Sequence, residues 1–365
     1  MTKTKTKTSY FFPVFGIFAL SALFFTLLPK RYTPDPSITE IWKPARSFQF
    51  PRRAPAAIAH RGYIYLVGGV DSEGSYVQTV EFSKIDPEGH LSPWQNTSAL
   101  QQGRFYLAAT AVGDFVFAIG GGAGPLGAAN YPVATVERAR ILENGSLSPW
   151  ETVTPLGTPR RGLKVASDKS GRVFAIGGYD GKFLRSIEHS QIFADGEMAQ
   201  WQTDPEQSLL DRYIHSAAVY KEFLYVLGGH VQKQNSMSYG DVEMSRIRAD
   251  GFVTPWQIQK SRLNHPRFIA SAFAAANHLY IAGGHNGAQR LDSVEFALIA
   301  ASGQIGQWRM TAALRQPRSA AAIAHNDQFV FILGGMSNDS LLNTVEYTHI
   351  HANGQLGFIE KTTAK

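Results

Sequence analysis

The sequence contains no cysteine in 365 residues. Its absence excludes disulfide frameworks, thiolate metal sites and cysteine nucleophiles. The chain beyond the N-terminus has almost no net charge. Residues 1–31 hold five basic and no acidic side chains, and the remaining residues hold 30 basic and 29 acidic side chains. So balanced a chain gives no electrostatic reason to expect nucleic acid as a partner. The 44% hydrophobic content is that of a globular protein.

One long apolar segment is present near the N-terminus. Residues 11–28 carry no charge over 18 positions, and Lys30 and Arg31 follow them. A helix of this length rises about 27 Å, close to the ~30 Å hydrocarbon core of a bilayer. We therefore expect residues 1–31 to be a basic N-terminus with a transmembrane anchor, and residues 32–39 to be a linker. The alternative is a signal peptide whose cleavage releases a secreted protein.

The rest of the sequence is a sixfold repeat marked by a Gly-Gly pair that ends a run of aromatic and β-branched residues. The first glycines lie 51 to 57 residues apart and are Gly68, Gly120, Gly177, Gly228, Gly283 and Gly334. An arginine stands 16 residues before each of them: Arg52, Arg104, Arg161, Arg212, Arg267 and Arg318. A glutamate follows each pair: Glu81, Glu137, Glu188, Glu243, Glu295 and Glu346. These runs, punctuated by glycine, predict short strands and tight turns.

Thirteen residues beyond each glutamate the first five repeats place a tryptophan, and the sixth places Ile359. The tryptophans are Trp94, Trp150, Trp201, Trp256 and Trp308. This register predicts four antiparallel strands per repeat. Strand a follows the arginine, strand b ends in Gly-Gly, strand c carries the glutamate and strand d begins at the tryptophan. The main length variation falls between strands b and c, so we expect constant a–b and c–d hairpins.

The Gly-Gly pair, the following glutamate and the spaced tryptophan resemble the kelch repeat, whose period is about 50 residues. The resemblance covers residues 40–365. It implies an all-β fold, a six-bladed kelch-type β-propeller with four antiparallel strands per blade, here preceded by one N-terminal transmembrane helix.

The ends of the repeat region predict how the ring closes. Trp42 lies ten residues before Arg52, at the distance expected of a strand d tryptophan, whereas the last repeat ends in Ile359. We expect the N-terminal segment to supply strand d of the blade whose other strands are C-terminal. Such closure removes an exposed sheet edge.

Antiparallel geometry puts the arginines, the glycine pairs, the b–c loops and the glutamates on one face of the ring. Every arginine has a glutamate in its own repeat, so we interpret them as structural ion pairs that neutralise each other. A basic ring that binds an anion is the alternative interpretation. The tryptophans are predicted to fill contacts between blades.

The b–c loops differ most between repeats, and loops on a rigid scaffold usually carry recognition. Their aromatic, amide and polar side chains are candidates for ligand binding, with ordinary solvated turns as the alternative. The candidates are Tyr76, Tyr131, Tyr179, Asp180, His230, Tyr239, His285, Asn286 and Asn338.

These observations favour a membrane-tethered module on the extracytoplasmic side, periplasmic or extracellular, that binds a protein or a glycan. We expect no cofactor, no metal site and no catalysis. The kelch resemblance supplies an enzyme as the alternative, a sialic-acid epimerase or mutarotase, with His215, His230, His285 and Asp180 as acid–base candidates. Kelch relatives also include a copper-dependent galactose oxidase, which is disfavoured here because its cofactor needs a cysteine crosslinked to a tyrosine.

Overall fold

The computed structural model describes residues 33–359, apart from residues 126, 128, 234, 235 and 339. The predicted transmembrane segment lies outside these residues. Within them, no helix has the length and apolar character needed to cross a membrane. The described chain forms 32 strands joined by turns.

Six sheets with the predicted strand order a–b–c–d form the blades. Two strands come first, β1 (Ile38–Thr39) and β2 (Lys43–Ala45). Blade 1 contains β3 (Ala56–His60), β4 (Tyr63–Val67), β5 (Val80–Lys84) and β6 (Gln95–Thr97). Blade 2 contains β7 (Ala108–Val112), β8 (Phe115–Ile119), β11 (Val136–Arg140) and β12 (Glu151–Val153). Blade 3 contains β13 (Lys164–Ser167), β14 (Arg172–Ile176), β15 (Ile187–Gln191) and β16 (Gln202–Thr203).

The second half repeats this arrangement. Blade 4 contains β17 (Ser216–Tyr220), β18 (Phe223–Leu227), β21 (Val242–Arg246) and β22 (Gln257–Ile258). Blade 5 contains β23 (Ser271–Ala275), β24 (His278–Ala282), β25 (Val294–Leu298) and β26 (Arg309–Thr311). Blade 6 contains β27 (Ala322–His325), β28 (Phe329–Leu333) and β31 (Val345–Ile350), with β2 paired to β31 and with β32 (Leu356–Ile359) and β1 extending the same sheet. Small hairpins occupy three b–c loops: β9 (Gly122–Ala123) with β10 (Tyr131–Pro132), β19 (His230–Lys233) with β20 (Ser236–Ser238), and β29 (Met336–Ser337) with β30 (Ser340–Leu341).

The a strands form the inner ring around the axis. Each contacts the a strands of both neighbouring blades, and β27 of blade 6 contacts β3 of blade 1. Their small residues allow this close approach. The b strands are aromatic and β-branched because they lie in the middle of each sheet with both faces covered, as in β18, where every residue is buried.

The hydrophobic core consists of six clusters, and each lies between two adjacent blades. Every cluster contains one tryptophan: Trp42, Trp94, Trp150, Trp201, Trp256 and Trp308. The indole nitrogens of Trp94 and Trp150 donate to backbone carbonyls of Arg46 and Ser98. The tryptophans therefore hold neighbouring sheets together, as their positions in the sequence predict.

The N-terminal segment closes the ring. Strand β2 pairs with β31, so that Pro44 lies opposite Glu346, and it occupies the strand d position of blade 6. Trp42 is 2% exposed in the cluster between blades 5 and 6. Ile359 is 59% exposed instead and pairs with Ile38. Thus β1 and β32 extend blade 6, and β1 falls within residues 32–39, the segment predicted to be a linker.

The expected constancy of the a–b hairpins is wrong in blade 3. Strand b begins eight residues after the start of strand a there, and seven residues after it in the other blades. The extra residue lies in the turn Asp168–Gly171, where the Asp168 carboxylate accepts the backbone N–H groups of Ser170 and Arg172.

Candidate functional site

The repeated arginines and glutamates form buried ion pairs within each blade. In every blade an arginine nitrogen lies 2.5 to 2.6 Å from a glutamate Oε1. The same guanidinium donates to the carbonyl of the first glycine of the pair, at 2.6 to 3.2 Å. Burial lowers the pKa of each of these arginines, and the glutamate opposes that shift. These charges are neutralised internally and leave no basic ring for a ligand.

Blade 3 corrects one predicted residue of this set. Arg160, not Arg161, pairs with Glu188. The extra residue of the a–b turn puts the pairing arginine 17 positions before Gly177 rather than 16. Arg161 is released to the face that carries the b–c loops, where its guanidinium carbon lies 4.9 Å from the ring centroid of Tyr179.

Two residues after each pairing arginine, the chain adopts a left-handed conformation with φ between 45° and 63°. These residues are Ala54, Tyr106, Gly162, Ile214, Ile269 and Ala320. Five consecutive backbone N–H···O=C bonds link them around the axis, the first from Gly162 to Tyr106 and the last from Ile269 to Ile214. In the described chain the sixth link, between Ile214 and Gly162, is absent. β-branched residues rarely adopt this conformation, so the ring is a strained feature held by its neighbours.

The ring surrounds a cavity of about 30 Å³ on the propeller axis, to which all six blades contribute. Leu107, Leu163 and Ala270 are among the residues that line it, and so is Lys164. We call this end of the axis the channel mouth.

Aromatic rings cover the channel mouth in a continuous arc over blades 1 to 5. Neighbouring rings have centroids 4.3 to 6.5 Å apart. This aromatic arc consists of Tyr76, Phe105, Tyr106, Tyr213, Tyr179, Phe183, His230, Phe268 and His285. Gly162 makes room for it, because a side chain there would meet the Tyr213 ring at 2.5 Å.

Three cations adjoin the aromatic arc, namely Arg53, Arg161 and Lys164, and none forms an ion pair with a carboxylate of the described residues. Burial raises the pKa of Tyr106, while the positive charges of Arg53 and Arg161 both oppose that rise. Burial likewise raises the pKa of Tyr213 against the effect of Arg161. Desolvation lowers the pKa of Lys164 to about 8.

The structure places the predicted ligand-binding residues in different settings. Tyr76, Tyr179, His230 and His285 belong to the aromatic arc, whereas Tyr131 is 48% exposed on the β9–β10 hairpin. Tyr239 is buried, and the Arg212 guanidinium lies 4.9 Å from its ring centroid. Tyr239 thus supports the blade 4 ion pair.

The remaining candidates are turn residues. The Asp180 carboxylate accepts the N–H of Lys182, and the Asn286 amide oxygen accepts those of Ala288 and Gln289. Asn338 has φ 48° at the tip of the β29–β30 hairpin.

Sequence reasoning missed Phe183, which lies in a b–c loop. It also missed mouth residues that lie within four positions after a pairing arginine: Arg53, Phe105, Tyr106, Arg161 as a mouth residue, Lys164, Tyr213 and Phe268. The pairing arginine is constant and the positions after it vary between aromatic, basic and small residues. That variation within a fixed motif was the available clue.

The acid–base candidates of the enzyme alternative are engaged in local contacts. The His230 Nδ1 lies 2.9 Å from the Met237 carbonyl oxygen, and the Gly287 N–H donates to the His285 Nδ1 at 2.9 Å. Burial, with help from Arg212, lowers the pKa of His215 to about 3, so this histidine is neutral.

Two other features lie outside the mouth. A cleft of about 560 Å³ separates the b–c loops of blades 1 and 2 beside Tyr76. Asp86, Glu88 and His90 are close enough to share a cation. However, the Asp86 carboxylate accepts the N–H groups of the other two residues, which accounts for the cluster as a turn.

Comparisons with known proteins agree with this architecture. No protein-family model matches the sequence. The chain is 25% identical to Beta-scruin of Limulus polyphemus over 256 residues, which are 67% of this chain and 26% of the scruin. It is 26% identical to Alpha-scruin of the same organism over 152 residues, 42% of this chain and 16% of that one. The chain therefore spans about a quarter or less of these relatives.

Among solved structures, the one titled "Structure of YjhT" has a TM-score of 0.65. The match covers 84% of this chain and 96% of that one at 12% identity, so the likeness concerns the fold. The sixfold Gly-Gly, glutamate and tryptophan motif folds into six blades, the last of them closed by the N-terminal strand. This architecture and the similarity to the scruins support the kelch-repeat propeller family that the motif resembles.

Proposed function

We propose that this protein is a membrane-tethered, extracytoplasmic binding module that holds a protein or a glycan through the face carrying its b–c loops. The tether rests on the apolar residues 11–28 and their basic flanks. The binding function rests on the channel mouth, where a rigid ring presents aromatic faces beside cations that form no ion pair among the described residues. Aromatic and arginine side chains are the groups that most often carry binding energy at interfaces.

Exposed apolar side chains extend this surface beyond the aromatic arc. Tyr131 and Met237, on the hairpins of blades 2 and 4, are 48% and 50% exposed. Phe50 and Leu209 lie at the same end, just before pairing arginines, and are also exposed. Scattered apolar residues are ordinary on a surface, but the position of these four at the end of the propeller that carries the aromatic arc supports an interaction face.

The contacts around the mouth support binding rather than catalysis. A general acid–base reaction needs two titratable groups converging on one ligand. Here His230, His285 and Asp180 satisfy turns of their own loops, and His215 is neutral and buried.

Site-specific photocrosslinking of the full-length protein tests the binding face. A benzophenone amino acid at Tyr131 or Met237 should capture a ligand, while the same group at Leu142 or Phe193 should not. The latter residues are 45% and 50% exposed and lie in c–d turns at the opposite end, so they are matched controls. Equal capture from both ends would contradict the proposal, as would no capture combined with no binding on a glycan panel. Carbonate extraction of membranes tests the tether, which requires the protein to stay in the pellet.

A further inference from the structure

The outer strands of the six blades, strand d in blades 1 to 5 and β2 in blade 6, can be compared residue by residue. Opposite the buried glutamate of strand c, each outer strand presents one exposed side chain. In blades 1, 2 and 3 this residue is polar: Asn96, Thr152 and Thr203. In blades 4, 5 and 6 it is apolar: Ile258, Met310 and Pro44. The outer side of the propeller is therefore apolar at this position over one half of the ring and polar over the other half.

The charges of the outer segments follow the same division. We compare the segments from the tryptophan of each outer strand to the next pairing arginine. In blades 4, 5 and 6 each segment holds two basic residues and no acidic residue: Lys260 and Arg262, Arg309 and Arg315, and Lys43 and Arg46. The segments of blades 1 to 3 hold no basic residue and four acidic ones: Glu151, Asp204, Glu206 and Asp211.

The c–d turns, which lead into the outer strands, extend this division. The turns of blades 1, 2 and 3 carry five acidic residues: Asp86, Glu88, Glu143, Asp195 and Glu197. The corresponding turns of blades 4, 5 and 6 carry one acidic residue, Asp250, whose carboxylate forms an ion pair with Arg248. One half of the outer side thus combines apolar and basic side chains, and the other half combines polar and acidic ones.

We infer that the outer side of blades 4, 5 and 6 lies on the surface of a bilayer that contains anionic lipid. This inference rests on the membrane tether of the proposed function and assigns a partner to a second surface. Surfaces that lie at the lipid interface carry apolar groups, which enter the boundary of the acyl chains, among basic groups, which are attracted to anionic headgroups. Ile258 and Met310 are 47% and 46% exposed, and Lys260 and Arg315 near them are exposed as well.

The point at which the chain enters the propeller supports a bilayer as the partner. The first two strands, β1 and β2, belong to blade 6, which is in the apolar and basic half. Nine residues separate Leu28, the end of the apolar segment, from Ile38 of β1. Fully extended, this stretch reaches about 35 Å at most. A tether would therefore hold blade 6 near the bilayer, while anionic headgroups would repel the acidic half.

The proposed contact is compatible with the binding face. The b–c loops and the channel mouth lie at one end of the propeller axis, whereas the outer strands lie around its side. A protein that rests on its side therefore keeps the b–c loops accessible to a ligand. The binding face and the lipid surface can be tested separately for this reason.

Single-cysteine labelling of the full-length protein tests the inference, because the chain has no cysteine of its own. Ile258→Cys and Met310→Cys would carry an environment-sensitive fluorophore, with the protein held as one copy per nanodisc of phosphatidylglycerol and phosphatidylcholine. Nitroxide-labelled lipid should quench these positions about twofold or more above Thr152→Cys and Thr203→Cys. The two threonines are matched controls, since they are exposed and have the same strand register.

Charge reversal tests the basic residues. Lys260→Glu combined with Arg315→Glu should lower quenching at Met310→Cys about twofold or more, and so should nanodiscs of phosphatidylcholine alone. Lys84→Glu is the control, because Lys84 is exposed on blade 1 and its substitution makes the same change of charge. Circular dichroism checks the folding of each variant, and Ile258→Cys provides a second reporter if Met310→Cys does not fold.

Equal quenching at all four positions would overturn the inference, as would an equal loss from Lys84→Glu. Shielding of Ile258→Cys and Met310→Cys only when several copies share one vesicle would also overturn it, because a second copy of the chain would then cover this surface. If carbonate extraction retains the protein in the pellet while quenching is equal, the tether stands and the lipid contact fails. If extraction releases the protein but it sediments with phosphatidylglycerol vesicles, and Lys260→Glu with Arg315→Glu abolishes this, the tether fails and the lipid contact stands.

Discussion

At the scale of single residues, two adjacent arginines of blade 3 have opposite environments. Arg160 is fully buried against Glu188, whereas Arg161 faces the channel mouth. Spacing alone favours Arg161 as the pairing residue, because the offset of 16 positions holds in the other five repeats. The spacing between the arginine and the Gly-Gly pair spans strands a and b. It therefore does not reveal that the a–b turn of blade 3 has one extra residue. Thus the sequence predicts the ion pairs as a class and misassigns one member.

This assignment predicts unequal effects of two neighbouring substitutions. Arg160→Gln leaves Glu188 buried without its partner, which costs about 3–5 kcal/mol of the free energy of unfolding. Arg161→Gln removes no ion pair, only the contacts of Arg161 with Tyr179 and Tyr213, and should therefore cost less, about 1 kcal/mol. Urea denaturation of both variants measures the difference. A loss from Arg161→Gln as large as that from Arg160→Gln would reverse the assignment.

We predict that Lys164→Met increases the free energy of unfolding and that the increase depends on pH. Desolvation lowers its folded pKa from 10.5 to about 8. Between these values the unfolded chain binds more protons, so the free energy of unfolding of the native protein rises with pH in that interval. At pH 7 the amine is charged in both states and its burial is fully unfavourable. Lys164→Met should therefore stabilise the protein by roughly 1–3 kcal/mol at pH 7, and the gain should shrink towards pH 10.

Denaturation at pH 7, 8.5 and 10 measures this dependence, with exposed Lys84→Met as the control. A gain that does not change with pH would show that packing, and not charge, is responsible. A lysine that destabilises the fold yet lines the axial cavity is consistent with selection for binding at the expense of stability.

At the scale of elements, the glycine pairs join neighbouring blades. The N–H of the second glycine donates to the carbonyl of the next blade's pairing arginine at five of the six junctions, for example from Gly69 to Arg104 at 2.8 Å. Within the described residues the junction of blades 3 and 4 lacks this bond, and the axial ring of backbone bonds is interrupted at the same junction. That junction carries Gly162, Tyr213 and His215, so the irregular element of the ring coincides with part of the candidate site.

Because the glycine pairs join neighbouring blades, we predict that alanine destabilises the protein more at Gly68, in a pair, than at Gly62, in a turn. Gly68 has φ 62°, and a Cβ there would lie 2.6 Å from the Arg104 carbonyl oxygen. Gly62, in the a–b turn of the same blade, has φ 79° with open space around it. Gly62→Ala should cost only the conformational strain of about 1–2 kcal/mol, while Gly68→Ala should cost more because the blades must separate. Equal losses in thermal denaturation would argue against close approach as the reason for the pair.

Element by element, the sequence predicts the regular part of the fold and less of the site. Strand order, the glycine pairs and the tryptophan contacts follow from repeated residues, since repetition reports what every blade requires. The aromatic arc depends on residues such as Phe105 and Tyr213, which differ between blades and become neighbours only when the ring closes. Tyr239 shows the converse, because its loop position favours exposure and its contact with Arg212 buries it.

At the scale of the whole molecule, the N-terminal strand makes the ring continuous. The Trp42 indole nitrogen donates to the Ala312 carbonyl of blade 5 at 3.0 Å, and Phe48 is buried in the cluster between blades 6 and 1. The segment therefore contacts both interfaces of blade 6. A propeller whose last blade lacked strand d would expose a sheet edge and open both interfaces. Deletion of residues 40–50 should for this reason abolish the cooperative unfolding transition.

A pair of point substitutions tests the same closure without removing backbone. Trp42→Ala should lower the free energy of unfolding by about 3–5 kcal/mol, the usual cost of truncating a buried tryptophan. Ile359→Ala, at the position where the repeat spacing puts the sixth tryptophan, should cost less than about 0.5 kcal/mol because its side chain is exposed. Chemical denaturation distinguishes the two. If Ile359→Ala lowered the free energy of unfolding more than Trp42→Ala does, the C-terminal strand and not the N-terminal strand would complete blade 6 and close the ring.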